Sequence, residues 1–164
     1  MTTIQVTVQR FTLVSPKPFE SILQMLEAEI GHPDMSRFAR EVTAAGSYGE
    51  IEEIVQEAIG SSGLMEFTRF NLGEIIRKEH GPGSPRILRL VVGNPLIMKQ
   101  MVVHVHDVAS YAPVNILIDE RADGVHLSYD RMASLLAPYG SAEAQQVAET
   151  LDAKIEGLLQ AAAA

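Results

Sequence analysis

The sequence predicts an α+β fold, a single domain in which helices pack on one face of a largely antiparallel sheet of about five strands. Two observations lead to this prediction. Short segments with alternating apolar residues are interleaved with longer segments in which apolar residues recur every three to four positions. A tight turn at Asp123-Gly124 joins two of the predicted strands as a hairpin, so that part of the sheet is antiparallel. A length of 164 residues fits one domain.

The first half of the chain contains two predicted strands separated by three helices. Ile4, Val6 and Val8 alternate with polar residues, which is typical of a half-buried strand. Asp34 has the position of an N-cap, and Ser47 is placed to cap the next helix. The predicted elements are, in order, a strand at residues 4–14, helices at 19–30, 35–45 and 48–59, and a strand at 64–70.

The second half contains three more strands, and the break at residues 81–85 is a loop inside the domain. Asn94 is a good N-cap and Pro95 suits the first helical position, so a helix begins there. Ser141 is placed to cap the last helix. The predicted elements are, in order, a short helix capped by Asn71, a strand at 86–92, a helix at 96–103, strands at 114–118 and 125–129, a short helix at 132–137, and a long helix reaching residue 158.

Composition limits the classes of partner. The net charge is −8 and the 13 Lys and Arg residues are scattered, so no basic face is available for nucleic acid or for a membrane surface. No apolar segment approaches the roughly 20 residues needed to span a bilayer. Cysteine is absent, which removes thiol chemistry and disulfides. The first residues do not look like a signal peptide. We therefore expect a cytoplasmic protein without nucleic-acid or membrane partners.

Three segments carry a family resemblance: Leu90-Val91-Val92-Gly93-Asn94-Pro95, residues 112–120, and Asp123-Gly124-Val125-His126-Leu127. In order and spacing they resemble domain-of-unknown-function family 302, which is bacterial and archaeal. The resemblance covers residues 4–30 and 64–130. It implies a fold of the TATA-box-binding-protein-like class, with helices on a curved sheet, and a homodimer. It implies no DNA binding, because one fold class serves many functions.

The chain departs from this family pattern in two ways. Many members have cysteine before the Asn-Pro pair and before the second asparagine, whereas this chain has Gly93 and Val114 there. Any thiol or metal chemistry of those cysteines is therefore absent. In addition, residues from about 32 to 63 look like a two-helix insertion, and residues from about 131 to 160 look like a C-terminal helical extension.

The sharpest polar cluster is His104-Val105-His106-Asp107. In an extended segment the two imidazoles point to the same side and could share a metal ion, to which Asp107 could add an oxygen. His126 or Glu120 could complete the set if the fold brings one of them close. The alternative interpretation, and the commoner case, is a polar run that ends a buried helix and enters a surface loop.

Three further residues are candidates for holding a ligand: Asn94, Asn115 and Tyr129. The alternative role of Asn94 is helix capping, and that of Asn115 is a hydrogen bond in the core or across a dimer interface. Glycine-rich phosphate loops and Gly-x-Ser-x-Gly nucleophile motifs are both lacking. The acidic residues around the predicted hairpin fit a solvated rim better than an acid–base pair.

Three hypotheses about function remain. The first, which we favour, is a non-catalytic homodimeric domain that binds a small, partly apolar molecule or a protein partner. The second is a metal-binding module or metal-dependent enzyme centred on His104, His106 and Asp107. The third is a structural or regulatory dimer in which the two inserted helices form a docking surface. The sequence identifies no catalytic residue and no cofactor.

Overall fold

A five-stranded sheet forms the centre of the computed structural model, which describes residue 1 and residues 3–164. The strands are β1 (Arg10–Ser15), β2 (Met65–Asn71), β3 (Ile87–Gly93), β4 (Val114–Arg121) and β5 (Gly124–Asp130). Their order across the sheet is β1-β5-β4-β3-β2, and each neighbouring pair is antiparallel. The predicted α+β fold and its antiparallel sheet are confirmed.

Seven α-helices accompany the sheet in the described part of the chain. They are α1 (Phe19–Glu29), α2 (Met35–Ala44), α3 (Tyr48–Ala58), α4 (Gly73–His80), α5 (Pro95–Val102), α6 (Met132–Leu136) and α7 (Ala142–Ala163). Short 3₁₀ helices follow α5 at His106–Ser110 and α6 at Ala137–Tyr139. The order of strands and helices is the predicted one. Among these helices, none is both long enough and apolar enough to cross a bilayer.

The main core lies between one face of the sheet and the helices. Alternate residues of the central strands point into it, among them Leu90 in β3, Ile116 in β4 and Leu127 in β5. Ile22 of α1 and Ile155 of α7 pack against them. A second, smaller cluster lies under α2 and α3 and consists of Phe38, Val55 and Met65 with partly buried neighbours. The periodicities therefore identified the buried faces of α1, α7 and β4 correctly.

Four of the five predicted N-caps are present. Asp34, Ser47, Asn94 and Ser141 each accept a hydrogen bond from a backbone N–H in the first turn of the following helix. The prediction for Asn71 is wrong, because this residue is the last of β2 and α4 begins without a side-chain cap.

The first strand is shorter than predicted. β1 begins at Arg10, which lies opposite Asp130, the last residue of β5. Residues 4–8 belong to no strand, and Ile4 and Val8 are exposed. Alternation alone predicted a strand there, but a strand also needs a neighbour with which to form hydrogen bonds.

Two glycines pack back to back where the chain leaves and re-enters the main core. The N–H groups of Gly31, after α1, and Gly60, after α3, both donate to the carbonyl oxygen of Leu64 at 2.9 Å. A Cβ on Gly31 would overlap the carbonyl oxygen of Ala58 and lie 2.8 Å from the Gly60 nitrogen. A Cβ on Gly60 would overlap the carbonyl oxygen of Glu29. Neither position therefore has room for a side chain.

Candidate functional site

An apolar cavity of about 100 Å³ lies between α5, the start of β4 and α7. Val92 pairs with Val114 across the sheet, so the end of β3 and the beginning of β4 meet at this cavity. Two of the three segments that carry the family resemblance therefore form part of its wall. The lining residues are Gly93, Asn94 and Pro95, then Ala112, Pro113 and Val114, and finally Phe67, Ile97, Met98, Met101 and Leu151.

Gly93 and Val114, at the two positions where the family resemblance led us to expect cysteine, both line this cavity. A Cβ on Gly93 would lie 3.2 Å from Cβ of Pro113 and 3.6 Å from a ring carbon of Phe67. The wall is therefore tightly packed at this point, and even a small side chain at position 93 would press on Pro113.

Asn94 contributes the one side-chain amide of the cavity lining, and both ends of that amide have partners. Its Oδ1 accepts from the backbone N–H of Leu96 at 2.8 Å, and its Nδ2 donates to the carbonyl oxygen of Gly63 at 2.9 Å. Asn94 thus fixes the start of α5 against the loop before β2. A ligand in the cavity would meet apolar atoms almost throughout.

Asn115 and Tyr129 lie away from this cavity, and their side chains point to opposite faces of the sheet. Tyr129 pairs with Ile116 and is 1% exposed on the helix-covered face, whereas Asn115 is exposed on the open face. Both residues border a single depression on that open face. The three predicted ligand-binding side chains therefore lie in three different places: Asn94 at the cavity, Tyr129 in the core and Asn115 on the open face.

The His104–Asp107 run does not form the extended segment that the metal hypothesis assumes. His104 lies in a turn after α5, and His106 and Asp107 begin a 3₁₀ helix. All three are exposed, while Val105 and Val108 are buried. This arrangement corresponds to the alternative interpretation, in which a polar run leads from a helix into a surface segment.

Neither suggested third metal ligand is turned toward the two histidines. Nε2 of His126 lies 2.8 Å from Oδ1 of Asp123, and Glu120 accepts from Arg86 at 2.7 Å. Across residue 1 and residues 3–164, no group of three or more His, Asp or Glu side chains is placed to hold a common ion. The metal hypothesis therefore lacks a complete ligand set in this fold.

A model of the family described as domain of unknown function DUF302 matches residues 38–162. This chain belongs to the DUF302 family. The crystal structure of an uncharacterized conserved DUF302 protein from Bacillus stearothermophilus is similar, with a TM-score of 0.64 and 12% sequence identity. The similarity covers 94% of this chain and 98% of that one, and at this identity it shows the fold alone. Comparison with curated proteins found no match.

The DUF302 match begins within α2 and runs almost to the end of α7. It therefore includes most of the segment interpreted from the sequence as an insertion, and all of the C-terminal extension. Residues 4–30, which also carried the resemblance, lie outside it. That residues 32–63 are an insertion relative to other DUF302 proteins stays a prediction.

A buried carboxylate that the sequence analysis missed connects three elements of this DUF302 chain. Asp152 of α7 is 6% exposed and accepts from the Tyr129 hydroxyl at 2.7 Å. It also accepts from the backbone N–H groups of Met132 at 2.7 Å and Ala133 at 3.1 Å, which begin α6. The available signal was an aspartate within the apolar stripe of α7, four residues after Ala148 and three before Ile155.

This network makes stability depend on the titration of Asp152. Burial raises the pKa of Asp152 above its ordinary value of 3.8, although its hydrogen bonds oppose that shift. A carboxyl whose pKa is higher in the folded state contributes stability that is complete below pH 3.8 and is lost as pH rises through the folded-state pKa.

We expect the free energy of unfolding of the wild type, relative to Asp152→Asn, to fall as pH rises above 3.8 and then to level off. Urea denaturation of both proteins between about pH 3 and pH 7 measures this difference. A difference that stays constant, or that grows with pH, would contradict the assignment.

Proposed function

We propose that this DUF302 chain is a cytoplasmic, non-catalytic homodimeric domain that binds a small, largely apolar molecule in the cavity beside Asn94. The observation that carries the proposal is the cavity itself, which is walled by two of the three segments of the family resemblance. The cytoplasmic location is proposed from the cysteine-free composition. The homodimer is proposed from the family resemblance.

The size of the cavity limits the ligand to a small group. An apolar cavity of about 150 Å³ is large enough to bind benzene. A cavity of about 100 Å³ therefore suits a short aliphatic chain, or the methyl end of toluene with the rest of the ring at the open side of the cavity. Met98 and Met101 supply flexible thioethers that adapt to such a group, while Phe67 and Pro113 supply rigid walls.

The chemistry of the lining supports binding rather than catalysis. Catalysis by acid and base groups needs titratable side chains within hydrogen-bond reach of the reacting atoms. Every residue of the cavity lining is apolar or glycine except Asn94, whose amide is engaged on both sides. Burial of apolar ligand surface, at about 25 cal/mol per Å², is then the main source of affinity.

A titration with toluene tests the cavity, with the methionine methyl signals observed by NMR. We expect saturable shifts of the Met98 and Met101 methyls, whereas the methyl of Met25, which is 43% exposed on α1, should stay unchanged. Met98→Trp fills the cavity and should weaken toluene binding by about tenfold or more, and Met25→Trp is the matched control.

Two results would overturn this assignment: no saturable methyl shift, or equal toluene affinity in Met98→Trp and the wild type. Native mass spectrometry of protein purified without chelator measures the subunit number and any co-purified small molecule. A monomer at about micromolar concentration would contradict the homodimer while leaving the cavity proposal standing.

A further inference from the structure

The face of the sheet opposite the core helices carries polar and charged side chains at its centre. Arg89 of β3 pairs with Leu117 of β4, which pairs in turn with Ser128 of β5. One step along the strands, Val91 pairs with Asn115. At the edge of the sheet, Arg10 pairs with Asp130. Because side chains alternate along each strand, these residues lie on the same open face.

A depression of about 260 Å³ lies on this face, bordered by Arg10, Arg89, Asn115, Leu117, Ser128, Tyr129 and Asp130. We propose that this depression is a second binding site, which takes the carboxylate group of a small monocarboxylic acid with an apolar body. It lies on the other side of the sheet from the core helices, so this inference is independent of the function proposed for the apolar cavity.

Arg89 provides the first argument, because its guanidinium is held in position but incompletely bonded. Its Cζ lies 4.5 Å from the centroid of the Phe70 ring, and this contact orients the guanidinium plane. Asp130, the one carboxylate that borders the depression, is paired with Arg10, so the Arg89 guanidinium has no salt-bridge partner among the described residues. A guanidinium without a counter-ion can bind a carboxylate from outside the chain through its terminal N–H groups, and we infer that it does so here.

The charge balance of the depression provides the second argument. Arg10 donates to both carboxylate oxygens of Asp130, at 2.6 and 2.8 Å, and the pair is neutral as a unit. Arg89 therefore leaves the depression with a net charge of about +1. A single negative charge matches this value, whereas a phosphate dianion would also be repelled by Asp130.

The shape and polarity of the surroundings favour a carboxylic acid with an apolar body. The planar fork of a guanidinium matches the two oxygens of a carboxylate. The exposed amide of Asn115 adds a donor on the neighbouring strand. Leu117 and the ring of Phe70 flank Arg89 and offer apolar surface to the rest of the acid.

NMR titration with benzoate at constant ionic strength tests the site. We expect saturable shifts of the Arg89 Nε–H and of the backbone amides around residues 89 and 115–117. The isosteric but neutral benzamide should bind about tenfold more weakly or worse, because it lacks the charge. The residue-specific signals distinguish this site from the apolar cavity, whose reporters are the methyls of Met98 and Met101.

Two variants and one control make the test specific. Arg89→Gln should weaken benzoate binding by about tenfold or more. Asn115→Asp replaces the amide NH₂ group of an exposed side chain by a carboxylate oxygen. The added negative charge should weaken benzoate binding by about the same factor as Arg89→Gln. Arg40→Gln, the same charge change at an exposed position of α2, should bind benzoate like the wild type.

Several outcomes would overturn the proposal. The absence of saturable shifts at the Arg89 side chain would mean that no carboxylate binds there. Equal binding of benzoate and benzamide would remove the role of charge. Weakening by Arg40→Gln as large as that by Arg89→Gln would indicate a nonspecific effect of net charge. Inorganic phosphate that binds at residue 89 as tightly as benzoate would contradict the carboxylate assignment.

Discussion

Replacing Asp152 by alanine should lower the free energy of unfolding by about 3–5 kcal/mol. The substitution removes the acceptor of three groups, the Tyr129 hydroxyl and the backbone N–H groups of Met132 and Ala133. Each buried donor left without a partner costs about 1–3 kcal/mol, and the three costs overlap because the groups share one carboxylate. Urea denaturation at neutral pH measures the change.

Two further variants provide comparisons: one removes a single hydrogen bond to Asp152, and the other removes a carboxylate that is exposed. Tyr129→Phe removes one donor together with its bond and should cost only about 0.5–1.5 kcal/mol. Asp107→Ala removes an exposed carboxylate and should change stability by less than about 0.5 kcal/mol. If Asp152→Ala is no more destabilising than Tyr129→Phe, the carboxylate does not hold β5, α6 and α7 together as inferred.

Gly31→Ala should destabilise the fold by about 3 kcal/mol or more, or prevent folding altogether. The new Cβ would overlap the carbonyl oxygen of Ala58, which is backbone and has no side-chain freedom with which to move. To make room the two chain segments would have to separate. Separation would break at least one of the two hydrogen bonds at the Leu64 carbonyl oxygen, which accepts from both Gly31 and Gly60 at 2.9 Å.

Gly157→Ala is the matched control for this prediction. Gly157 lies exposed in the interior of α7, and a Cβ there would meet nothing within 4 Å. Alanine at this position should stabilise the protein by about 0.5–1 kcal/mol through helix propensity. Chemical denaturation of the two variants compares them directly. A Gly31→Ala protein within about 1 kcal/mol of the wild type would show that the neighbouring backbone adapts.

The order of elements and most helix starts could be predicted because both depend on local sequence. Periodicity identified the buried side of α7, and the capping roles of Asp34, Ser47 and Asn94 followed from residue type and position. Residues 4–8 were assigned to a strand wrongly, because local alternation contains no information about whether a neighbouring strand extends that far.

The candidate sites were harder to predict because they depend on contacts between distant parts of the chain. Tyr129 was selected as a ligand-binding residue, but its hydroxyl binds Asp152, 23 positions later. The metal hypothesis for His104 and His106 assumed an extended backbone. Instead, this segment contains a turn followed by the start of a 3₁₀ helix. Arg89 carried no sequence signal, since the pairing of β3 with β4 and the contact with Phe70 give it its surroundings.

The contact between Gly31 and Gly60 brings together the two ends of the segment that contains α2 and α3. Closing a loop costs chain entropy, and this cost grows only slowly with the length of the loop. Here the loop is closed by backbone hydrogen bonds from Gly31 and Gly60 to Leu64, which involve no residue between the two glycines. The segment between them, residues 32–59, therefore leaves and re-enters the main fold at a single point. Closure at this point does not depend on the length of the segment, whereas its helices must keep the apolar surface of Met65 and Phe67 covered.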